Sequence, residues 1–422
     1  MPLDLPPKHV LAAGHPSSDP SAAAADVVRL LHPEASVATV RRRWGLAARR
    51  GTPRATDELY MLPTPSRPRL LVPVGISGAA TMLRRHSTSG RQRLAQRILV
   101  AGVKSRLLEL FPLPRLIVDS SHSSGSDLRE WLGELLGGHV RLGVLLGPPR
   151  ANGKPVLQVF DAIGSTRAFV KIGHIPLTRE LVIREGETLG RLAAAGLRRL
   201  AVPRVLAERD WNGLRILVLS PLASSQGRQR LVTPPPQAMC ELAVALGTRQ
   251  ARLDDSPYIR RVHAATSLLP GPAGGQLRHA LAMVIATYRR ATVIFGSWHG
   301  DWAPWNMGVA NGRAEVWDWE RFDDDVPLGF DAVHYRVQQL RATDAPADAA
   351  IATLTAERDA LLRPFGVPAA TERAVLALYL IEVATRYATD LDVVPTTALR
   401  GRLTWMLDML SMLLPDLGKE SS

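Results

Sequence analysis

The chain has 422 residues, 46% of them hydrophobic and 22% charged. That composition belongs to a globular protein and excludes a fibre, a coiled coil or a chain-long disordered polymer. The length allows two or three domains, or one large bilobal unit. The net charge is +13, from 52 Lys and Arg against 39 Asp and Glu. Such an excess first suggests nucleic acid or an anionic surface. Only five of the cations are lysines, however: Lys8, Lys104, Lys154, Lys171 and Lys419. In an arginine-dominated chain the position of a lysine carries information. Cys240 stands alone, which excludes an intramolecular disulfide framework and any multi-cysteine metal site.

Residues 1–125 read as an arginine-rich N-terminal extension. Prolines and small residues fill its start, and Arg41, Arg42, Arg43, Arg49, Arg50 and Arg54 follow. Up to Gly137 there are 19 Lys and Arg against 11 Asp and Glu, so most of the net charge lies in this third. It holds no nucleic-acid motif and no aromatic stacking pattern, so a nucleic-acid partner is not expected. Residues 70–74 read as a short strand. Residues 87–111 read as a helix, with Leu94, Ile98, Val103 and Leu107 as its apolar stripe. The Ser/Gly-rich run 119–127 reads as a linker.

Beyond the linker comes a helix start at Ser126 and Asp127, with Leu128, Trp131, Leu132, Leu135 and Leu136 as its apolar face. Three strand-like runs follow, at 139–146, 156–163 and 168–172. A helix is expected from 178 to 195, with Leu181, Leu189 and Leu192 facing the core. Two more strands, 203–207 and 214–219, flank the turn Asn212-Gly213. Past Pro221 the pattern is mostly helical. A β-rich unit, a short connection and a helical unit predict a cleft. The N-terminus shows no signal-peptide pattern. The apolar stretches 277–288 and 403–414 are too short to span a bilayer. A cytoplasmic protein without membrane contact is therefore expected.

Residues 298–320 carry the chemistry, and five of the nine tryptophans lie there. His299-Gly300-Asp301 is followed by Asn306, and Asp318 comes twelve residues later, after the turn Asn311-Gly312. Phosphoryl transfer from ATP needs a carboxylate to take or orient the proton of the attacking hydroxyl, and hard oxygen donors for magnesium. An Asp and an Asn five residues apart on one loop, with a second Asp from the next hairpin, meet both needs. Phe169-Val170-Lys171-Ile172 sets a lysine mid-strand between apolar neighbours, where an ammonium without a role is costly to bury.

The pattern His299-Gly300-Asp301…Asn306, with Asp318-Trp319-Glu320 after it, resembles the aminoglycoside phosphotransferase and choline kinase-like family of the kinase-like superfamily. The resemblance covers about residues 126–422. It implies an α+β, bilobal protein-kinase-like fold: a small β-rich lobe at 126–221, a large helical lobe at 222–422 and the extension 1–125 before them. It implies ATP, or GTP, with Mg2+ as cofactors and a small-molecule hydroxyl as acceptor: an aminoglycoside, another sugar or an amino alcohol. Carried over by motif, Asp301 would be the catalytic base, and Asn306 and Asp318 the magnesium ligands. His299 would anchor the loop, and Asp331 would support it from below. Lys171 would contact the phosphates, with Glu185 as its partner ahead of Glu187, and the hinge backbone at Leu219 would meet the adenine. The family's pattern departs from protein kinases at the glycine loop, here Gly147–Gly153, so the phosphate-covering residues are unassigned. Trp302 and Trp305 have two readings, a substrate platform or packing under the loop. The acid run Asp323-Asp324-Asp325 also has two, an acceptor pocket for a cation or a solvated loop, and the second is favoured.

Overall fold

The computed structural model describes residues 37–42, 56–83, 90–111, 113–119, 128–146, 153–226 and 236–417. The start of the extension, nearly all of the 119–127 linker and the loop 147–152 lie outside the described residues. The fold is mixed α+β. Its strands, in chain order, are β1 (Val37–Arg42), β2 (Thr56–Thr64), β3 (Arg67–Pro73), β4 (Pro114–Asp119), β5 (Arg141–Leu145), β6 (Val156–Phe160) and β7 (Thr166–Gly173). Then come β8 (Leu200–Ala201), β9 (Val205–Trp211), β10 (Leu214–Leu219), β11 (Arg249–Arg252), β12 (Thr292–Trp298), β13 (Met307–Ala310), β14 (Arg313–Val316) and β15 (Asp323–Pro327). By the density of internal contacts the chain forms two units, residues 1–186 with 203–229 and residues 187–202 with 230–422.

The first unit is built on one nine-stranded sheet in the order β1-β4-β2-β3-β5-β6-β7-β10-β9. Alternation explains β7: Ala168, Val170 and Ile172 are fully buried, and they share one core with Leu157, Val159, Ile216 and Val218 from the neighbouring strands. The turn after β6 is set by Asp161, whose Oδ1 accepts from Ile163 N at 3.1 Å and Ser165 N at 2.8 Å. The strand expected to reach Ile163 therefore stops at Phe160, and Ile163 sits exposed at the turn tip.

Residues 56–119 supply three strands of this same sheet, with β3 pairing to β5 through Leu70↔Leu145 and Leu71↔Val144. Arg115 in β4 is 1% exposed. It donates to Glu58 Oε2 and to the Glu109 carbonyl, each at 3.1 Å, and lies over the Tyr60 ring. At least this arginine is a buried structural cation rather than part of a basic surface. The helix expected at 87–111 runs Gly90–Lys104, with a 3-10 turn at Leu107–Leu110. Of the expected apolar stripe, Val103 is covered and the other three are not. Leu94, Ile98 and Leu107 are more than half exposed, and the core contacts are Leu99, Val100 and Val103 with Leu108. Both sets fit a helical period; only the partner surface decides which one is covered.

The second unit is mainly helical, with helices Pro236–Val244, Pro257–Ser267, Gly271–Tyr288, Phe330–Ala342, Ala347–Leu362, Glu372–Val393 and Thr397–Leu413. Its core centres on Glu372–Val393, whose Leu376, Leu378, Tyr379, Leu380 and Ile381 are all at most 1% exposed. It also has two small sheets, β11-β12-β15 and β13-β14-β8, and β12 and β15 add Val293, Phe295, Trp298 and Val326 to the core. No helix among the described residues is long and apolar enough to cross a membrane.

Candidate active site

In the first unit Lys171 lies mid-strand in β7, opposite Val156 of β6 and Leu217 of β10. Its neighbours are apolar, so its side chain is 94% covered. Its Nζ donates to both oxygens of Glu185, at 2.6 and 2.7 Å. Glu185 belongs to the helix Pro176–Ala194 and is fully buried, whereas Glu187 is exposed. Helical spacing explains the choice: Glu185 lies four residues before Leu189 on the buried face, and Glu187 is two residues round from it. Leu219 ends β10, opposite Phe169 of β7, with a register irregularity just before it on the β9 side.

In the second unit the loop after β12 holds His299, Gly300 and Asp301. Gly300 has φ +83°, and a Cβ there would lie 2.1 Å from the Arg321 carbonyl oxygen, so only glycine fits between the histidine and the aspartate. Asp331, at the start of the helix Phe330–Ala342, accepts from His299 N at 2.8 Å and from Gly300 N at 3.4 Å. His299 is fully buried and ties two loops together. Its Nδ1 accepts from Asp301 N at 3.1 Å, and its Nε2 lies 3.0 Å from the Trp317 carbonyl, which it meets as donor. Trp319 packs edge-on against it at 4.6 Å.

Asn306 donates Nδ2 to the Asp301 carbonyl at 2.9 Å and to Asp301 Oδ2 at 2.8 Å. Its amide oxygen is thereby turned away from Asp301. The hairpin β13–β14 pairs Met307 with Val316, and Trp317 N donates to the Asn306 carbonyl at 3.1 Å. This register sets Asn306 opposite Trp317 and one residue from Asp318. It depends on the turn Asn311-Gly312, where both residues have positive φ (52° and 73°), as a two-residue hairpin turn of right-handed twist requires. Asp318 itself is left-handed, φ 72° and ψ 58°, which costs energy for a residue with a Cβ.

The donor set fits magnesium. Among the described residues no three His, Cys, Asp or Glu side chains gather into a metal cage. An amide oxygen from Asn306 and a carboxylate from Asp318 are the kinds of hard donor that an octahedral cation uses when phosphate and water supply its other ligands.

The charges around Asp301 are tuned by burial and by its partners. Burial works to raise the Asp301 carboxyl, but the hydrogen bond from His334, with the Arg386 guanidinium, outweighs it and holds the group below its usual value. Burial brings His299 down to about 4 and pushes Asp331 up to about 7, against the pull of its two backbone N–H donors.

These two shifts act on stability in opposite directions. Between pH 4 and 7 the folded chain holds a proton on Asp331 that the unfolded chain has lost, so this term weakens the fold as pH rises. Between pH 6.5 and 4 the unfolded chain protonates His299 and the folded one does not, so this term weakens the fold as pH falls. Each is worth about 3–4 kcal/mol across its window. Urea unfolding of Asp331→Asn at pH 4.5 and 7 is expected to show a stability-against-pH slope more positive than wild type, and His299→Gln a slope more negative. Slopes that move in the same direction would refute the opposition.

Four further residues converge here that no sequence motif marks. His334 and Gln338 lie one and two turns beyond Asp331 on its helix, and Tyr379 and Arg386 lie on the helix Glu372–Val393. Arg386 Nη1 donates to the Gly300 carbonyl at 2.7 Å. The only signal for His334 is its i, i+3 spacing from Asp331, which puts both on one helix face. Trp302 and Trp319 are fully buried and Trp298 nearly so, so Trp302 packs beneath the loop rather than offering a platform. The acid run forms β15 instead of a solvated loop. Asp323 pairs with Arg261 at 3.3 Å, Asp324 with Arg191 and Asp325 with Arg249, so each carboxylate is already neutralised by an arginine of the same unit.

No protein-family model and no curated protein matches the chain. Solved structures do resemble it. One is aminoglycoside phosphotransferase APH(4)-Ia, at 14% identity, covering 68% of this chain and 99% of that one, with a TM-score of 0.46. A choline/ethanolamine kinase family protein from Mesorhizobium loti is 15% identical, covers 67% and 94%, and has a TM-score of 0.43. The amicoumacin kinase hAmiN is 15% identical, covers 66% and 88%, and has a TM-score of 0.40.

Proposed function

We propose that this chain is an ATP-dependent phosphotransferase that acts on a hydroxyl of a small molecule. One observation carries the reading: the Asn306 amide holds both the main chain and the carboxylate of Asp301, while its own backbone is tied to the residue before Asp318. The base and one oxygen donor for a cation are thus hydrogen-bonded to each other, and the second donor follows the residue paired with Asn306. Asp301 takes the proton of the acceptor hydroxyl as the acceptor oxygen forms a bond to the γ-phosphorus. The bond from that phosphorus to the β,γ-bridging oxygen breaks, and ADP leaves with the electron pair. Asn306 and Asp318 would hold Mg2+, which when bound offsets the negative charge of the phosphates.

Lys171, oriented by Glu185, contacts the phosphates, and the backbone at Leu219 meets the base of ATP, or of GTP in its place. His299 and Asp331 keep the loop in shape. The lobes of this reading are 126–221 and 222–422, with residues 1–125 ahead of them. The acceptor is an aminoglycoside, another sugar or an amino alcohol, and the protein works in the cytoplasm, where its donor nucleotide is.

Calorimetry with Mg-ATP, followed by an ATP-consumption screen over those three acceptor classes with Asp301→Ala as control, tests the reading. Binding of Mg-ATP and acceptor-dependent turnover that vanishes in the control are expected. Failure to bind Mg-ATP sinks the functional class. Binding without turnover on any acceptor favours a silent nucleotide-binding protein.

A further inference from the structure

His334 is fully buried, yet it stands at the edge of the partly open catalytic-type carboxylate. Its Nε2 lies 3.3 Å from Asp301 Oδ1, and its Nδ1 lies 3.0 Å from the Tyr379 hydroxyl. Trp298 and Tyr379 pack edge-on against the ring and fix its plane. We propose that His334 is a positioning residue: held by Tyr379, its imidazole donates Nε2–H to Oδ1 of Asp301 and sets the rotation of that carboxylate. The proposal rests on the phosphotransferase reading above.

The chemistry runs from the carboxylate outward. The Asp301 side chain is 38% exposed, so packing alone does not stop its carboxylate from turning about its last torsion. Asn306 holds Oδ2. A second donor on Oδ1 fixes the plane, and a base must be held to a fraction of an ångström to meet an acceptor hydroxyl in line. An ionised carboxylate 3.3 Å from Nε2 selects the tautomer with the proton on Nε2. The neutral ring then has a lone pair on Nδ1, and the Tyr379 hydroxyl is the donor that satisfies it. Gln338 approaches the same Nε2 at 3.2 Å, and its Oε1 has no hydrogen-bond partner among the described residues. With Nε2 protonated, a turned Gln338 amide would bring its oxygen to the same Nε2–H, which it would share with Asp301 Oδ1. The helix Phe330–Ala342 thus governs three consecutive loop residues from one face: Asp331 takes the N–H groups of His299 and Gly300, and His334 takes the side chain of Asp301.

The test uses Mg-ATP with water as the phosphoryl acceptor, so no unidentified substrate is needed. Wild type, His334→Leu, His334→Gln and Tyr379→Phe are compared in kcat and in KM for ATP. Leu fills the space without a donor, whereas the Gln amide can place an N–H near the position of Nε2. His334→Leu is expected to lower kcat roughly 10- to 100-fold, with KM within about 2-fold of wild type. His334→Gln is expected to recover most of that loss, and Tyr379→Phe to fall between Leu and wild type. Long-range 15N–1H spectra of the wild-type imidazole are expected to show the proton on Nε2. Should His334→Leu not fold, His334→Gln, Tyr379→Phe and the spectra carry the test. A kcat for His334→Leu within about 3-fold of wild type, a His334→Gln no better than Leu, or a proton on Nδ1 overturns the positioning role alone. A wild type that turns Mg-ATP over neither with water nor with any acceptor of the three classes overturns the phosphotransferase reading, and this proposal with it.

Discussion

Asp301→Asn is expected to lower kcat by roughly 10²–10⁴-fold while Mg-ATP still binds. The substitution keeps size and shape, so the loss isolates two properties of the carboxylate. The first is its lone pairs as proton acceptors for the attacking hydroxyl. The second is its fit to its donors. An amide oxygen at position 301 still accepts from His334 Nε2–H. The amide nitrogen then faces Asn306 Nδ2, which sits 2.8 Å from Oδ2 in the native chain, and two donors meet there. Part of the loss therefore comes from displacing Asn306, a proposed metal ligand, and Asp301→Ser separates the two causes. It removes the base without placing a second nitrogen at Asn306. The two variants are compared in kcat and in Kd for Mg-ATP, with the acceptor found by screening. Comparable kcat losses place the effect on the missing base, and a weaker Mg-ATP affinity in Asp301→Asn alone measures the clash. A kcat within about 10-fold of wild type in both would remove Asp301 from the chemistry.

What could be read from residues alone follows the range of the interactions involved. Asp301 and Asn306 are five residues apart, and Asp318 follows a hairpin whose Asn-Gly turn fixes the register, so local geometry suffices to set all three on one loop and hairpin. Lys171 and Glu185 are fourteen apart but lie on consecutive elements, and the strand and helix periods pick out the inward positions. Asn212-Gly213 acts in the same way between β9 and β10.

Long-range partners were not legible. The strand Thr56–Thr64 carries Pro63, and Pro114–Asp119 opens on a proline, so neither shows an uninterrupted β pattern. They are strands because they pair with each other, as the buried Glu58–Arg115 ion pair across 57 residues shows. Arg386 reaches Gly300 from 86 residues away, and Tyr379 reaches His334 from 45. Nothing near those residues in the chain announces the contact. The exposed Leu94 and Ile98 teach the same lesson from the other side: a helical period marks candidate faces, and packing chooses among them.

Lys171 and Glu185 pose the sharpest test of whether a buried charge pair serves the fold or the chemistry. The side chains are 6% and 0% exposed, and Nζ touches both carboxylate oxygens. Glu185→Ala takes the carboxylate from a buried ammonium and is expected to cost roughly 3–5 kcal/mol in urea unfolding. Lys171→Met does the converse, at similar cost. Replacing both at once removes the desolvation penalty together with the attraction, and buried pairs exchanged for apolar residues of like volume often leave stability unchanged or raised. The double variant Lys171→Met/Glu185→Leu is therefore expected within about 2 kcal/mol of wild type, well above either single variant. Its phosphoryl transfer is expected to fall at least about 100-fold, because no ammonium remains for the phosphates. That combination, stability restored and activity lost, is what a pair kept for chemistry predicts. A double variant as unstable as Glu185→Ala would make the pair structural, and one that still transfers phosphate at the wild-type rate would free Lys171 of its role. A chain with 47 arginines and five lysines has an ammonium at this strand position. A compact charge on a flexible stem can serve one carboxylate and a phosphate in turn, where a planar guanidinium would commit its fork to one partner.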